Sequence, residues 1–163
     1  MQVSASAVDR HAAAHASRDD PGLLVRAIMT PGVKCAAPED SLREAAKAMQ
    51  AHGCGTLPVV ENGRLVGIIT DRDIVVRAVS RGIDPDEGYV REMMSTGVAT
   101  CYEDETVTDA ACRMSASKVR RLTVLNRAQR LIGLVSLSDI AVARGADYAA
   151  SRALAEICQR DDR

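Results

Sequence analysis

The sequence predicts an α/β (α+β) fold made of two copies of one strand–helix–strand–strand–helix unit, and three observations carry that expectation. A strand-to-helix corner, Gly67-Ile68-Ile69-Thr70-Asp71-Arg72-Asp73-Ile74, returns as Gly133-Leu134-Val135-Ser136-Leu137-Ser138-Asp139-Ile140. The segments around it recur at an offset of 65 positions that becomes 66 at the corners. Apolar residues make up 47% of the chain, with no Trp, no Phe and three Tyr, so a sizeable core is available and it must be aliphatic.

Residues 1–21, rich in Ala, Ser, His and charge, read as a flexible leader ending at Pro21-Gly22. His11 and His15 share a helical face by spacing, but no third ligand accompanies them, so they read as surface histidines. The leader lacks the apolar core of a secretory signal and no run is long enough to span a bilayer, which points to the cytoplasm.

The first unit is expected over 22–82, the second with its linker over 83–145, and a final helix and tail over 146–163. Ala27-Ile28-Met29-Thr30-Pro31 is answered by Glu92-Met93-Met94-Ser95-Thr96, and Leu57-Pro58-Val59-Val60 by Leu122-Thr123-Val124-Leu125. Val33-Lys34-Cys35 and Val98-Ala99-Thr100 are the expected first strands. Helices follow at 41–52 and 106–117, where Ala and Met recur on one face. Two strands then form a hairpin in each copy. Asn62-Gly63 signals a tight turn because both residues tolerate positive φ, and 126–130 forms a longer turn that absorbs the extra residue. Helices at 71–81 and 137–144 close the units, with helix-stopping Gly82 and Pro85 in the linker. A last helix over 147–159, carrying Tyr148, Leu154 and Ile157, packs either on the module or on a second subunit.

Several function classes are disfavoured. A net charge of −1 argues against a nucleic-acid or membrane-surface binder driven by electrostatics, and the shortage of aromatic rings removes stacking platforms. Five scattered cysteines without a C-x-x-C pair fit a reducing compartment. Catalysis has little support: His52-Gly53-Cys54 sits at a helix end with no orienting third group, and reads as a loop cap. No residue is assigned as catalytic or as a metal ligand.

Four helix starts pair a hydroxyl with an acid three residues on: Ser41 with Glu44, Thr70 with Asp73, Thr106 with Asp109, Ser136 with Asp139. Each matches a capping box, and capping alone explains the spacing. At the two corners more is present. Gly67 and Gly133 precede the hydroxyl by three and allow close approach of backbone or ligand. A carboxylate at a helix start can accept both hydroxyls of a ribose, beside a terminus that favours phosphate.

Ile28-Met29-Thr30-Pro31, Leu57-Pro58-Val59-Val60 and the Gly67–Asp73 corner, each with its second copy, resemble a tandem CBS-domain pair, or Bateman module, over roughly residues 23–145. The resemblance implies two βαββα units packed as a pseudo-twofold module, with clefts for adenosine-containing ligands such as AMP, ADP, ATP, NAD or S-adenosylmethionine, and a homodimer. It implies ribose contacts from Thr70 with Asp73 and from Ser136 with Asp139. It places Val33, Lys34 and Pro58, and in copy two Val98, Ala99 and Leu122, around the adenine. Thr123 stands where copy one has Pro58. Arg72 in the first corner and Arg120-Arg121 before the second hairpin are the candidate phosphate contacts, with Ser138 in place of Arg72 in copy two. The expected function is a non-catalytic sensor signalling to a separate effector protein, the alternative a structural or redox-responsive dimer without a ligand.

Overall fold

The computed structural model describes residues 22–143 and 147–158. The expected leader, with His11 and His15, lies outside the described residues, as do Arg144 and Gln159 at the expected ends of the last two helices. By its contacts the chain divides into two compact units. One holds Thr30–Tyr102 and Thr123–Leu134; the other holds the described residues up to Met29, Glu103–Leu122 and those from Val135 onward.

In the first unit, helix α1 (Leu42–His52) starts where its capping box predicts. Ser41 Oγ accepts from the Glu44 N–H at 3.2 Å, and Glu44 Oε2 accepts from the Ser41 N–H at 2.8 Å. It ends at Gly53, whose φ of 59° lets the Cys54 N–H turn back to the Met49 carbonyl at 3.0 Å. His52 and Cys54 are therefore occupied by a helix end, as expected. Strands β2 (Thr56–Glu61) and β3 (Arg64–Thr70) form an antiparallel hairpin whose two-residue turn has φ of 50° at Asn62 and 77° at Gly63. The register slips between Val59 and Val60, which leaves Val66 as an extra residue on β3. Leu42, Ala45 and Met49 of α1 pack on Leu57, Val59 and Ile69 of the hairpin, giving the aliphatic core the composition requires.

Beyond Thr70 the chain is helical as expected, but its winding changes. Asp71–Asp73 is α-helical, Ile74–Ala78 winds as a π-helix and Val79–Arg81 as a 3₁₀ turn, stopped by Gly82 at φ 68°. The β-branched run Ile74-Val75-Val76 is a weak helix former, which favours such irregularity. We call the whole segment α2.

The expected first strands are displaced. Val33-Lys34-Cys35 is not a strand; the parallel pairing is a single bridge from Ala36 to Val59. In copy two, strand β4 (Thr100–Tyr102) begins at the last expected strand residue and pairs in parallel with β5 (Arg121–Leu125). Strand β6 (Leu131–Ser136) follows the longer turn, where Asn126 Oδ1 accepts from the Ala128 and Arg130 N–H groups, each at 3.0 Å.

The short strand β1 (Thr30–Pro31), which opens copy one, pairs antiparallel with β6 of copy two at Leu134 and Gly133. The equivalent Ser95, which opens copy two, bridges Ile68 on β3 of copy one, with N–H···O distances of 2.9 and 3.0 Å. Each repeat thus lends its leading segment to the other. The exchange extends to a short helix not expected from sequence, α3 (Val90–Met93), whose Val90 N–H donates to Asp40 O at 2.9 Å and Arg91 N–H to Pro38 O at 3.0 Å.

The second unit repeats this theme. Val25 N–H donates to Glu105 O at 2.9 Å and Arg26 N–H to Glu103 O at 3.0 Å, docking residues 25–27 beside the start of helix α4 (Val107–Ala116). There Thr106 Oγ1 caps the Asp109 N–H at 3.1 Å, without the reciprocal bond of a full box. Helix α5 (Leu137–Val142) follows the second corner, and helix α6 (Asp147–Cys158) packs on α4 and α5. The final helix therefore belongs to its own module. Ser115 Oγ donates to the Glu156 carboxylate and Lys118 Nζ to Glu156 O at 2.6 Å, fixing its last turn.

Candidate functional site

The first corner is a satisfied capping box with a third partner. Asp73 Oδ2 accepts from the Thr70 N–H at 3.0 Å and from Thr70 Oγ1 at 2.7 Å, while Thr70 Oγ1 accepts from the Asp73 N–H at 3.1 Å. The other oxygen, Oδ1, lies 3.3 Å from Arg77 Nη2, one helical turn on. Arg77 also donates from Nη1 to the carbonyls of Met93 at 2.7 Å and Met94 at 3.2 Å, and from Nη2 to Ser95 Oγ at 3.0 Å. One guanidinium thus ties the corner carboxylate to the exchanged segment. Sequence reasoning passed over Arg77, although an acid and a base four apart on a helix is a readable signal.

The close approach permitted by Gly67 is made by protein. A Cβ there would lie 2.6 Å from Met94 Sδ and 3.1 Å from Ser95 O. The glycine is explained by the neighbouring segment, without a ligand.

Charge around the two corners is distributed differently from a reading centred on Arg72. Arg72 is exposed, and its N–H donates to Asp71 Oδ1 at 2.7 Å. The Asp71 carboxylate lies over Gly55, where a Cβ would meet Asp71 Oδ2 at 2.7 Å. In copy two the equivalents of Asp71 and Gly55 are Leu137 and Arg120. The first corner therefore has an added acid, Asp71, and the second an added base, Arg120, at non-equivalent positions.

The second corner has the same box: Asp139 Oδ2 accepts from the Ser136 N–H and from Ser136 Oγ, each at 2.7 Å, and Ser136 Oγ accepts from the Asp139 N–H at 3.2 Å. Ala143 replaces Arg77, so among the described residues Asp139 Oδ1 has no ionic partner. Beside this box opens a cleft of about 510 Å³ whose lining includes Arg120, Arg121, Ser136 and Ser138, with Ala150 and Leu154 of α6 as its far wall. Arg120 Nη2 lies 3.7 Å from Cys158 Sγ at the end of that helix. The structure thus gathers four polar side chains from the second corner and its strand entry, with a wall that sequence reasoning did not assign.

The expected adenine residues are less well gathered. Leu122 is fully buried and Pro58 is buried, its carbonyl accepting from the Ala36 N–H at 2.9 Å. Both side chains sit in the core. Lys34 is exposed, Val33 is half-buried, and the small cavity of about 210 Å³ at Lys34 reaches Leu57 but includes neither Thr70 nor Asp73. Val98 and Ala99 are half-buried, and Ala99 O accepts from the Thr123 N–H at 3.2 Å. Residues 93–95, separated from Val98 by two residues, are tied to the first corner through Arg77 and the Ser95–Ile68 bridge.

Among the described residues no group of three His, Cys, Asp or Glu is placed to hold a metal ion, and no helix is long and apolar enough to cross a membrane. None of the five cysteines is in a disulfide, and burial pushes the Cys35 thiol above its ordinary value.

Comparison with known proteins agrees with this architecture. The family model for the CBS domain matches residues 25–80 and 90–145. CBS domain-containing protein YhcV of Bacillus subtilis is 35% identical over 137 residues, covering 84% of this chain and 96% of that one. Hypoxic response protein 1 of Mycobacterium tuberculosis is 33% identical, covering 71% and 81%. Among solved structures, the CBS domain pair of protein MJ0100 in complex with 5′-methylthioadenosine and S-adenosyl-L-methionine superposes with a TM-score of 0.65 at 34% identity, over 72% of this chain and 96% of that one. The CBS domain protein TA0289 of Thermoplasma acidophilum gives 0.72 at 26% identity, over 85% and 78%. Two family matches in tandem, the repeated corner and the exchanged strands together place the chain in the CBS domain family, as a tandem pair.

Proposed function

We propose that the protein is a non-catalytic regulatory module that binds an adenosine-containing ligand, among AMP, ADP, ATP, NAD and S-adenosylmethionine, and signals to a partner protein. The second corner carries this reading: Asp139 keeps one carboxylate oxygen without an ionic partner among the described residues, next to a cleft lined by two arginines and three serines. A ribose takes the open carboxylate oxygen, and a phosphate or another charged tail takes the hydroxyl- and guanidinium-lined space. A cleft of about 510 Å³ is of small-molecule size. The bound adenosine compounds of the MJ0100 pair support the ligand class.

Thr70 and Asp73 offer a second ribose site with a different property. A ribose reaching Asp73 Oδ1 competes with Arg77, and Arg77 holds the backbone of residues 93–94 and the Ser95 hydroxyl. Occupancy there changes the hold on the exchanged segment, which is the difference between bound and free states that a signal needs. The exposed aliphatic strip Val75, Val76 and Val79, at 57%, 52% and 62% exposure, supports a homodimer.

Titration of the five compounds against thermal unfolding and by calorimetry tests the reading. A ligand at a hundred times its Kd adds about 2.7 kcal/mol of stability. Asp139→Asn keeps an oxygen for the cap and weakens the ribose contact. Failure of every adenosine compound to stabilise the wild-type chain overturns the proposal.

A further inference from the structure

The two hairpins end in turns at equivalent places of the repeat, and both turns face one cleft of about 840 Å³. Arg64 follows the first turn and Arg130 closes the second, 66 positions apart, so each repeat sends the same residue into this space. Leu65, Val66, Val98 and Leu125 supply an aliphatic lining, and no Asp or Glu lines the cleft. Among the described residues neither guanidinium is in a salt bridge, whereas the exposed Arg91, Arg113 and Arg152 each face a carboxylate, with Glu105 2.9 Å from Arg113. Neither arginine finds a carboxylate in this lining, and a bound anion supplies the missing counter-charge while each planar fork supplies paired donors.

We propose that this cleft binds a small organic anion with at least two negative charges, its body on the aliphatic lining and its oxyanion groups on Arg64 and Arg130. The cleft includes none of Thr70, Asp73, Ser136 and Asp139, and shares only Val98 with the expected adenine residues. It is therefore a second binding site, and its ligand bridges the hairpin ends of the two repeats.

Calorimetric titration of the full chain with adipate, two carboxylates on a methylene chain, tests the site against hexanoate, which carries one. Adipate is expected to bind with an affinity that falls as salt is added, and hexanoate about tenfold more weakly. Arg64→Gln and Arg130→Gln should each weaken adipate about tenfold, and the double variant should abolish binding. Arg81→Gln, an exposed arginine outside the cleft, should leave binding unchanged. Both cleft arginines are exposed, so the variants should melt like wild type. Absence of adipate binding at millimolar concentration, binding that survives the double substitution, or equal weakening by Arg81→Gln overturns the proposal. Adenosine-ligand binding unchanged in the double variant keeps this site distinct from the corners.

Discussion

Asp73 and Asp139 occupy equivalent positions and cap their helices alike, yet only Asp73 answers to a second residue. The Asp73–Arg77 ion pair is partly exposed, so its own worth is modest, about 0–1 kcal/mol. The bonds from Arg77 to two backbone carbonyls and a hydroxyl matter more, because carbonyls that lose a charged donor are poorly replaced. Arg77→Ala is expected to cost about 1–3 kcal/mol in urea unfolding, and amide exchange at residues 93–95 should rise with it. Asp73→Asn should leave that exchange near wild type, since the carbonyl bonds persist. Leu122 gives a contrasting test: fully buried, it should cost about 2–5 kcal/mol in urea unfolding on truncation to Ala, and an unchanged stability would contradict its place in the core. At this scale the sequence was readable where chemistry and spacing coincide. Thr70, Asp73, Ser136 and Asp139 form the expected pairs because a hydroxyl and an acid three apart have one good geometry at a helix start. Pro58 and Leu122 were not readable in the same way, since a strand buried on both faces has no alternation to say which side chains meet solvent.

The elements that carried their own end signals appeared where expected. Helix α1 is bracketed by a capping box and a left-handed Gly53, and α4 begins immediately after its cap at Thr106. The first strands lacked such punctuation. Their partner residues lie far along the chain, so one isolated bridge at Ala36 and the displaced β4 were fixed by tertiary pairing that local pattern does not reveal. Helix α6 supplies a pH-dependent test. The Glu156 carboxyl is held below the usual range first by the Ser115 hydroxyl and then by Arg152. A lowered folded-state pKa means that its stabilisation is present above the unfolded-state value and is lost as pH falls through the folded-state value. Acid titration monitored by exchange of α6 amides should therefore loosen this helix below the ordinary carboxylate range, and Glu156→Gln should flatten that dependence.

On the scale of the whole molecule, the two compact units divide the chain along lines that cross both repeats, because each repeat's leading segment is held by its partner. Val76→Asp with Val79→Asp charges the exposed strip of α2, and if that strip makes the proposed homodimer, the expected outcome in sedimentation is monomers with the fold retained. Gly67→Ala probes the exchange from inside. The added methyl meets Met94 Sδ and the Ser95 carbonyl, and should destabilise by about 1–3 kcal/mol. The lent strands also bear on how such a molecule can be divided. A cut in the linker near Gly82 would leave an N-terminal fragment whose β3 has no Ser95 beside it, and a C-terminal fragment whose β6 has lost Thr30 and Pro31. Neither fragment can complete itself, but each holds the piece the other is missing. Co-expressed halves should reassemble where either half alone stays unfolded, so the exchange makes this chain a natural split reporter.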